Sequence, residues 1–175
     1  MGSIPASRTS ISTGSIIVVM HSLPDLATTH RQLLHVHGVA SESTLVRCFD
    51  GVATACIELQ LNEADTMAVQ LITDEVCTNI TMHGYPGREP GPLALTLWQS
   101  VGVSPGELVL DIRDEGEAFN SDDVAAPDLD ADVEERRIGG LGWFLVKQMS
   151  SLVQHTHIGG VNTTRLTRKM GGQTQ

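Results

Sequence analysis

From Asp65 to His83 the chain reads DTMAVQLITDEVCTNITMH, and its apolar residues recur at helical spacing. On a wheel of about 100° per residue, Met67, Ala68, Val69, Leu71, Ile72, Val76, Ile80 and Met82 share one broad arc. Gln70, Thr73, Asp74 and Thr81 oppose them, with Cys77 among the polar set. Glu75 and Asn79 fall inside the apolar arc, one turn apart, and His83 follows a turn later. An inward carboxylate and carboxamide raise the free energy of the fold unless partners meet them. Gly84-Tyr85-Pro86-Gly87 ends the helix.

Before this helix, Ser41 to Leu61 carries an apolar stripe (Leu45, Val46, Phe49, Val52, Ala53, Cys56, Ile57, Leu59) behind a serine N-cap, Ser41 or Ser43. After it, Leu93–Gln99 and Leu108–Asp114 alternate apolar and polar residues around a short turn. This predicts an antiparallel hairpin with one covered face. Shorter strands are predicted at 16–20 and 32–37, and two more at 153–158 and 161–169 around Gly159-Gly160. Trp143 to Leu152 suits a helix. The pattern predicts an α/β fold: a two-layer sandwich of a mixed, mostly antiparallel sheet with helices on one face. Residues 1–20, opening on a run rich in Ser, Thr and Gly, are expected to form a disordered leader, and 21–175 a single domain.

Composition narrows the function. The net charge of −10 argues against a general nucleic-acid binder, which needs a basic footprint. No apolar run approaches the roughly 20 residues of a membrane span, so a cytoplasmic protein is expected. Cys48, Cys56 and Cys77 are odd in number and match no zinc spacing, as expected of reduced core thiols. The pairs His35/His37 and His155/His157 each share a strand face, and surface histidines explain them better than a metal site.

Three separated pieces carry candidate chemistry. Glu75 and Asn79 offer hard oxygen ligands, able to hold Mg²⁺ or to orient and deprotonate an attacking group. A satisfied polar pair in a core has the same spacing. Asp114, ending a strand, is placed to accept a hydrogen bond from the amino group of a base, and Gly116 allows a flat ring to lie on the backbone. A plain Asp-Glu-Gly turn reads the same way. Gly139-Gly140-Leu141-Gly142 precedes a helix, which suits phosphates through a backbone nest and the helix N-terminus, or is simply a flexible start. There is no Walker-A motif, no protein-kinase H-R-D loop, no G-x-S-x-G and no H-E-x-x-H.

In their order, these pieces resemble the GHKL ATP-binding superfamily of gyrase, histidine kinases and mismatch-repair ATPases. Glu75-x-x-x-Asn79 matches its N box, Asp114-x-Gly116-x-x-Phe119 its adenine box, and Gly139-Gly140-Leu141-Gly142 its glycine box. Within the superfamily the chain looks most like bacterial anti-sigma-factor serine kinases, on the phrases TDEVCTNITMHGY, RDEGEAFN, GGLGWFLVKQM and GGVNTTRLTRK. The resemblance implies Glu75 as general base, Asn79 as Mg²⁺ ligand, Asp114 on the adenine amino group with Gly116 against the ring, and Gly140 and Gly142 toward phosphates. It implies that Thr163 is the late threonine near the adenine and that 120–138 is a lid over ATP. His83 matches a helix-end histidine of open role, and Trp143-Phe144 is bulkier than the usual pair. Implied partners are a sigma factor, a STAS-type anti-anti-sigma protein that is phosphorylated, and a second copy of the chain. A module that sequesters a partner without phosphoryl transfer is the alternative. A free-standing histidine-kinase catalytic domain is disfavoured, since no helix bearing a phospho-accepting histidine precedes the core.

Overall fold

The computed structural model describes residues 9–12, 15–19, 23–104, 106–119 and 141–171, the first two stretches by their backbone alone. The elements follow in the order β1 (Thr9–Ser12), β2 (Ser15–Val19), β3 (His30–Val39), α1 (Glu42–Glu58), α2 (Glu63–His83), β4 (Pro92–Ser100), β5 (Glu107–Asp114), α3 (Leu141–Met149), β6 (Leu152–Ile158) and β7 (Val161–Lys169). The strands form one seven-stranded sheet in the order β1-β2-β6-β7-β5-β4-β3. Among the described strands only β2 and β6 pair parallel, and every other neighbouring pair is antiparallel. The helices pack on one face, so the mixed two-layer sandwich expected from the sequence is the observed fold. β2 lies where the sequence predicts a strand at 16–20, and its Ile16–Val19 pair with Leu152–His155, which gives that backbone ladder partners.

Alternation sets the core. Leu93, Leu95 and Leu97 on β4 pair across with Asp114, Ile112 and Leu110 on β5, and Leu110 pairs with Leu166 on β7. All the leucines and the isoleucine of this layer are fully buried under the helices. Helix α2 meets the layer with Asp65, Ala68, Val69, Ile72, Thr73, Val76 and Cys77, a continuous i, i+3, i+4 stripe. That stripe is rotated from the arc the sequence predicted. Met67 and Met82 are exposed, whereas Thr73 and Cys77, read as polar-side residues, are fully buried. The reason is α1, which packs beside α2 and covers that flank, and Cys48 and Cys77 share a thiol hydrogen bond across the seam. Thr73 satisfies its hydroxyl on the Val69 carbonyl at 2.8 Å. The three cysteines are free and buried, as expected.

Two polar ties close the ends of the sandwich. Asn62 caps α2 by accepting from the Asp65 amide at 2.8 Å. The buried Asp65 carboxylate in turn accepts from Arg168 at 2.8 and 3.0 Å and from the Gly171 amide at 2.9 Å, joining the end of β7 to the start of α2. At the other end of α2, the Tyr85 hydroxyl donates to the Pro92 carbonyl and accepts from the Glu115 amide. The Arg88 guanidinium lies 4.9 Å above the Tyr85 ring and donates to the Glu115 carbonyl at 2.7 Å. The Gly- and Pro-rich loop after α2 is therefore clamped onto the segment that leaves β5.

Candidate functional site

That clamp sets the mouth of a cavity of about 500 Å³ between α2, the segment after β5, α3 and the ends of β6 and β7. From α2 come Glu75, Asn79 and His83, spaced four apart and therefore aligned along one edge of the buried stripe. They are not buried among core side chains: Glu75 is half-buried, and Asn79 and His83 are exposed. The inward polar pair of the sequence thus faces a cavity.

Glu75 reaches the first turn of α3. A Cβ placed on Gly142 would overlap the Glu75 carboxylate, so glycine at this position leaves room for that side chain where it stands. Gly142 and Leu141 line the cavity, which brings the first and third sequence motifs together. Gly139 and Gly140, and the expected lid at 120–138, lie outside the described residues.

Asp114 ends β5 on the helix side, buried to 6% exposure, and lines the cavity with Glu117, Ala118 and Phe119. Its Oδ1 accepts from the Gly116 amide at 2.7 Å and from Asn162 Nδ2 at 2.8 Å. Asn162 Nδ2 also donates to the Glu117 carbonyl at 2.9 Å. One carboxylate oxygen is thereby fixed by the protein, and Oδ2 has no protein partner among the described residues. Gly116 plays a different part from the one expected. It is absent from the cavity lining, and a Cβ there would sit 2.6 Å from both Asp114 Oδ1 and the Gly84 carbonyl oxygen. Its place is explained by the close crossing of 84 and 116, where the Glu117 amide also donates to the Gly84 carbonyl at 2.9 Å.

Thr163 is a correction of one residue. On β7 the helix-facing positions are Asn162, Thr164 and Leu166, and it is Asn162 and Thr164 that line the cavity. Thr163 pairs with Arg113 and Thr156 on the opposite face of the sheet. His155 is a second correction. The surface-histidine expectation holds for His35, His37 and His157, but His155 is 8% exposed and lines the cavity, its Nδ1 within 3.0 Å of Thr164 Oγ1. Burial lowers its pKa, opposed by the nearby Asp114 carboxylate, which favours the neutral ring. Alternation outward from Val153 and Leu166 marks His155 and Thr164 as same-face partners, a signal the sequence carried but did not single out. Trp143 and Phe119 complete this wall, ring centroids 5.3 Å apart and edge to face.

Among the described residues no three His, Cys, Asp or Glu side chains cluster as a metal site. The donor set still fits Mg²⁺, which keeps waters and takes one or two protein oxygens beside substrate phosphates rather than a full protein cage. Asn79 and Glu75 supply such oxygens on one wall. Among the described residues no helix is long and apolar enough to cross a membrane.

The arrangement of cavity, motifs and sheet defines a class. The profile of the histidine kinase-like ATPase domain matches residues 39–168, and the chain belongs to that family. Among solved structures it is similar to the RsbU and RsbW domains of Rv1364c from Mycobacterium tuberculosis, with a TM-score of 0.53 and 14% identity over 78% of this chain. The likeness at that identity is one of fold, and the chain matches 32% of that solved chain. The search of curated proteins finds no match.

Proposed function

We propose that the chain is an ATP-dependent serine/threonine-protein kinase of the anti-sigma-factor type. It would act in the cytoplasm as a homodimer, phosphorylating a STAS-type anti-anti-sigma protein and sequestering a sigma factor. One observation carries the reading: Glu75, Asn79, Asp114 and Gly142, from three elements far apart in sequence, line a single cavity with the Glu75 carboxylate against the first turn of α3. Membership of an ATPase-domain family and the resemblance to anti-sigma-factor kinases support it.

The roles follow from placement. The free oxygen of Asp114 accepts a hydrogen from the amino group of the base, while Asn162 and the Gly116 amide hold the carboxylate still. Asn79 offers a carboxamide oxygen to Mg²⁺, with Glu75 close by; bound Mg²⁺ would neutralise charge on the phosphates. Glu75 accepts the proton of the partner's serine hydroxyl. The serine oxygen bonds to the γ-phosphorus as its bond to the β-bridging oxygen breaks, and ADP leaves. Such catalysis is mostly positioning and charge stabilisation, which suits fixed side chains around a half-enclosed site.

The test is transfer of labelled phosphate from ATP·Mg²⁺ to the STAS protein encoded nearest to this chain. We expect transfer by the unaltered chain and its loss, by about 10²-fold or more, in Glu75→Ala with ATP binding kept. Tight ATP binding with no transfer to any STAS protein would favour the sequestering module. Absence of ATP binding, unchanged by Asp114→Asn, sinks the nucleotide reading altogether.

A further inference from the structure

Among the described residues, two side-chain nitrogens in the cavity wall make no hydrogen bond of ordinary geometry, Trp143 Nε1 and His155 Nε2, although the Phe119 carbonyl lies close enough to His155 to raise its pKa. Trp143 is 5% exposed and His155 8%, so solvent does not supply what the protein lacks. An unmade bond at a buried polar atom is costly, and native folds rarely leave two in one place without a use. The pair sits together. Phe119 lies edge-on to both rings, with centroids 5.3 Å from Trp143 and 6.0 Å from His155.

Neither residue belongs to the three motifs of the family resemblance. We propose that Trp143 and His155 are ligand-contacting residues that hydrogen-bond the nucleoside half of the bound nucleotide, adding base selectivity to that of Asp114. The proposal rests on the nucleotide reading of this cavity. Three features assign the pair to the nucleoside and not to the phosphates. First, the row His155–Thr164–Ile112 runs across the sheet immediately beside the row His157–Asn162–Asp114, so His155 neighbours the carboxylate assigned to the base amino group. Second, both rings pack on Phe119, five residues beyond Asp114 and at the same end of the cavity. Third, the Nδ1 of His155 is engaged by Thr164, which leaves Nε2 as one oriented hydrogen-bonding group, and burial favours the uncharged ring. That suits a heterocycle edge or a ribose hydroxyl better than an anion. Trp143 Nε1 is a donor only, so its partner must be an acceptor, a ring nitrogen or a ribose oxygen.

The experiment measures binding of ATP, GTP, adenosine and inorganic tripolyphosphate by calorimetry to the full chain, to Trp143→Phe and to His155→Leu. A thermal melt of each variant shows that it is folded. Each variant is expected to bind ATP and adenosine about three- to tenfold more weakly, the loss of one neutral hydrogen bond, while tripolyphosphate binding is unchanged. The ATP-over-GTP preference should shrink in His155→Leu. In a Trp98→Phe background, which leaves Trp143 as the only tryptophan, adenosine should shift the emission. Wild-type affinities for ATP and adenosine in both variants, with Asp114→Asn still abolishing binding, would overturn this assignment and leave the nucleotide reading standing. Equal weakening toward tripolyphosphate would also overturn it, by placing the pair at the phosphates. If the unaltered chain binds no adenine nucleotide, both readings fall together.

Discussion

On the face of the sheet turned away from the helices, Arg165 donates twice to Asp111, at 2.6 and 2.7 Å, and once to the Pro24 carbonyl at 2.7 Å. Both residues of this pair are 5% exposed. One residue further along β7, on the helix-facing side, Thr164 leads to His155, whose outer nitrogen has no partner. Burial is about equal in the two regions, but satisfaction is not. The ion pair is closed: its carboxylate and guanidinium use one another and a backbone carbonyl, so it asks nothing of a ligand. The cavity wall is open: Asp114 keeps one oxygen uncommitted, and two ring nitrogens wait. Buried polarity therefore marks function here only where its bonds are incomplete.

The largest effect is expected for Arg165→Ala. It strands the Asp111 carboxylate out of water and should destabilise the fold by about 3–5 kcal/mol, read from urea or thermal denaturation. Replacing both partners, Asp111→Leu with Arg165→Leu, should recover most of that loss, because a buried pair contributes little over apolar residues of similar volume. Nucleotide affinity of the molecules that remain folded should be unchanged in both. A loss of affinity without a loss of stability would mean that the two faces are not separable as described.

How far the sequence revealed this division follows from the physics of each element. The alternation of β4 and β5 placed Leu93, Leu95, Leu97 and Ile112 in the core and Asp114 at a strand end on the covered side, because period-two patterning reports the covered face directly. Glu75 and Asn79 were legible as anomalous on the wheel, which shows one helix and not its neighbours, and it was the other two motifs and the family resemblance that implied a nucleotide pocket beside them. The same blindness misplaced Thr73 and Cys77: α1 covers them, and nothing in α2 announces α1. Thr163 is next to the cavity-lining Thr164 but on the other face of β7, because a strand side chain changes face at each step, which a motif match does not encode. Gly116 was read as room for a ring, yet the space it leaves is filled by the Gly84 carbonyl, a contact 32 residues distant in sequence that no local pattern encodes. Trp143 was legible only as bulkier than the usual residue there; it is buried like a core residue but leaves its indole nitrogen without a partner among the described residues.

Gly142→Ala acts on the cavity side. The new methyl group would meet only the far end of the Glu75 side chain, which can rotate away. Stability should change little, by less than about 1 kcal/mol, because a flexible carboxylate and not backbone must give way. The displaced Glu75 would lose its place at the first turn of α3, and phosphoryl transfer should fall about 10- to 100-fold, since small misplacements of a reacting group carry penalties of that order. Adenosine affinity should be kept. The variant thus inverts the pattern of Arg165→Ala, which loses stability and keeps the site. A large fall in melting temperature with transfer unaffected would show that Gly142 serves packing and not the placement of Glu75.

The smallest effect is the pH dependence that an incompletely satisfied His155 imposes on the free protein. Burial lowers its pKa from the ordinary 6.5, with the Asp114 carboxylate and the Phe119 carbonyl raising it and His157 lowering it. A histidine whose folded pKa lies below its unfolded value binds fewer protons folded than unfolded. Stability therefore rises with pH through that window: it is complete above the unfolded value of 6.5, falls as the pH drops below it, and levels off once the folded ring also protonates. Denaturation of the unaltered chain and of His155→Gln, compared between pH 7.5 and 5, isolates the contribution, since the other six histidines are common to both. The difference in stability between the two should shift in favour of His155→Gln as the pH falls. Adenosine at saturating concentration should enlarge the shift if binding fixes the ring in its neutral form, because ligand held by neutral His155 adds stability that protonation removes. A difference that is flat across this range would mean that His155 ionises as freely in the fold as outside it, and the contrast between the open cavity wall and the closed Asp111–Arg165 pair would lose its electrostatic half.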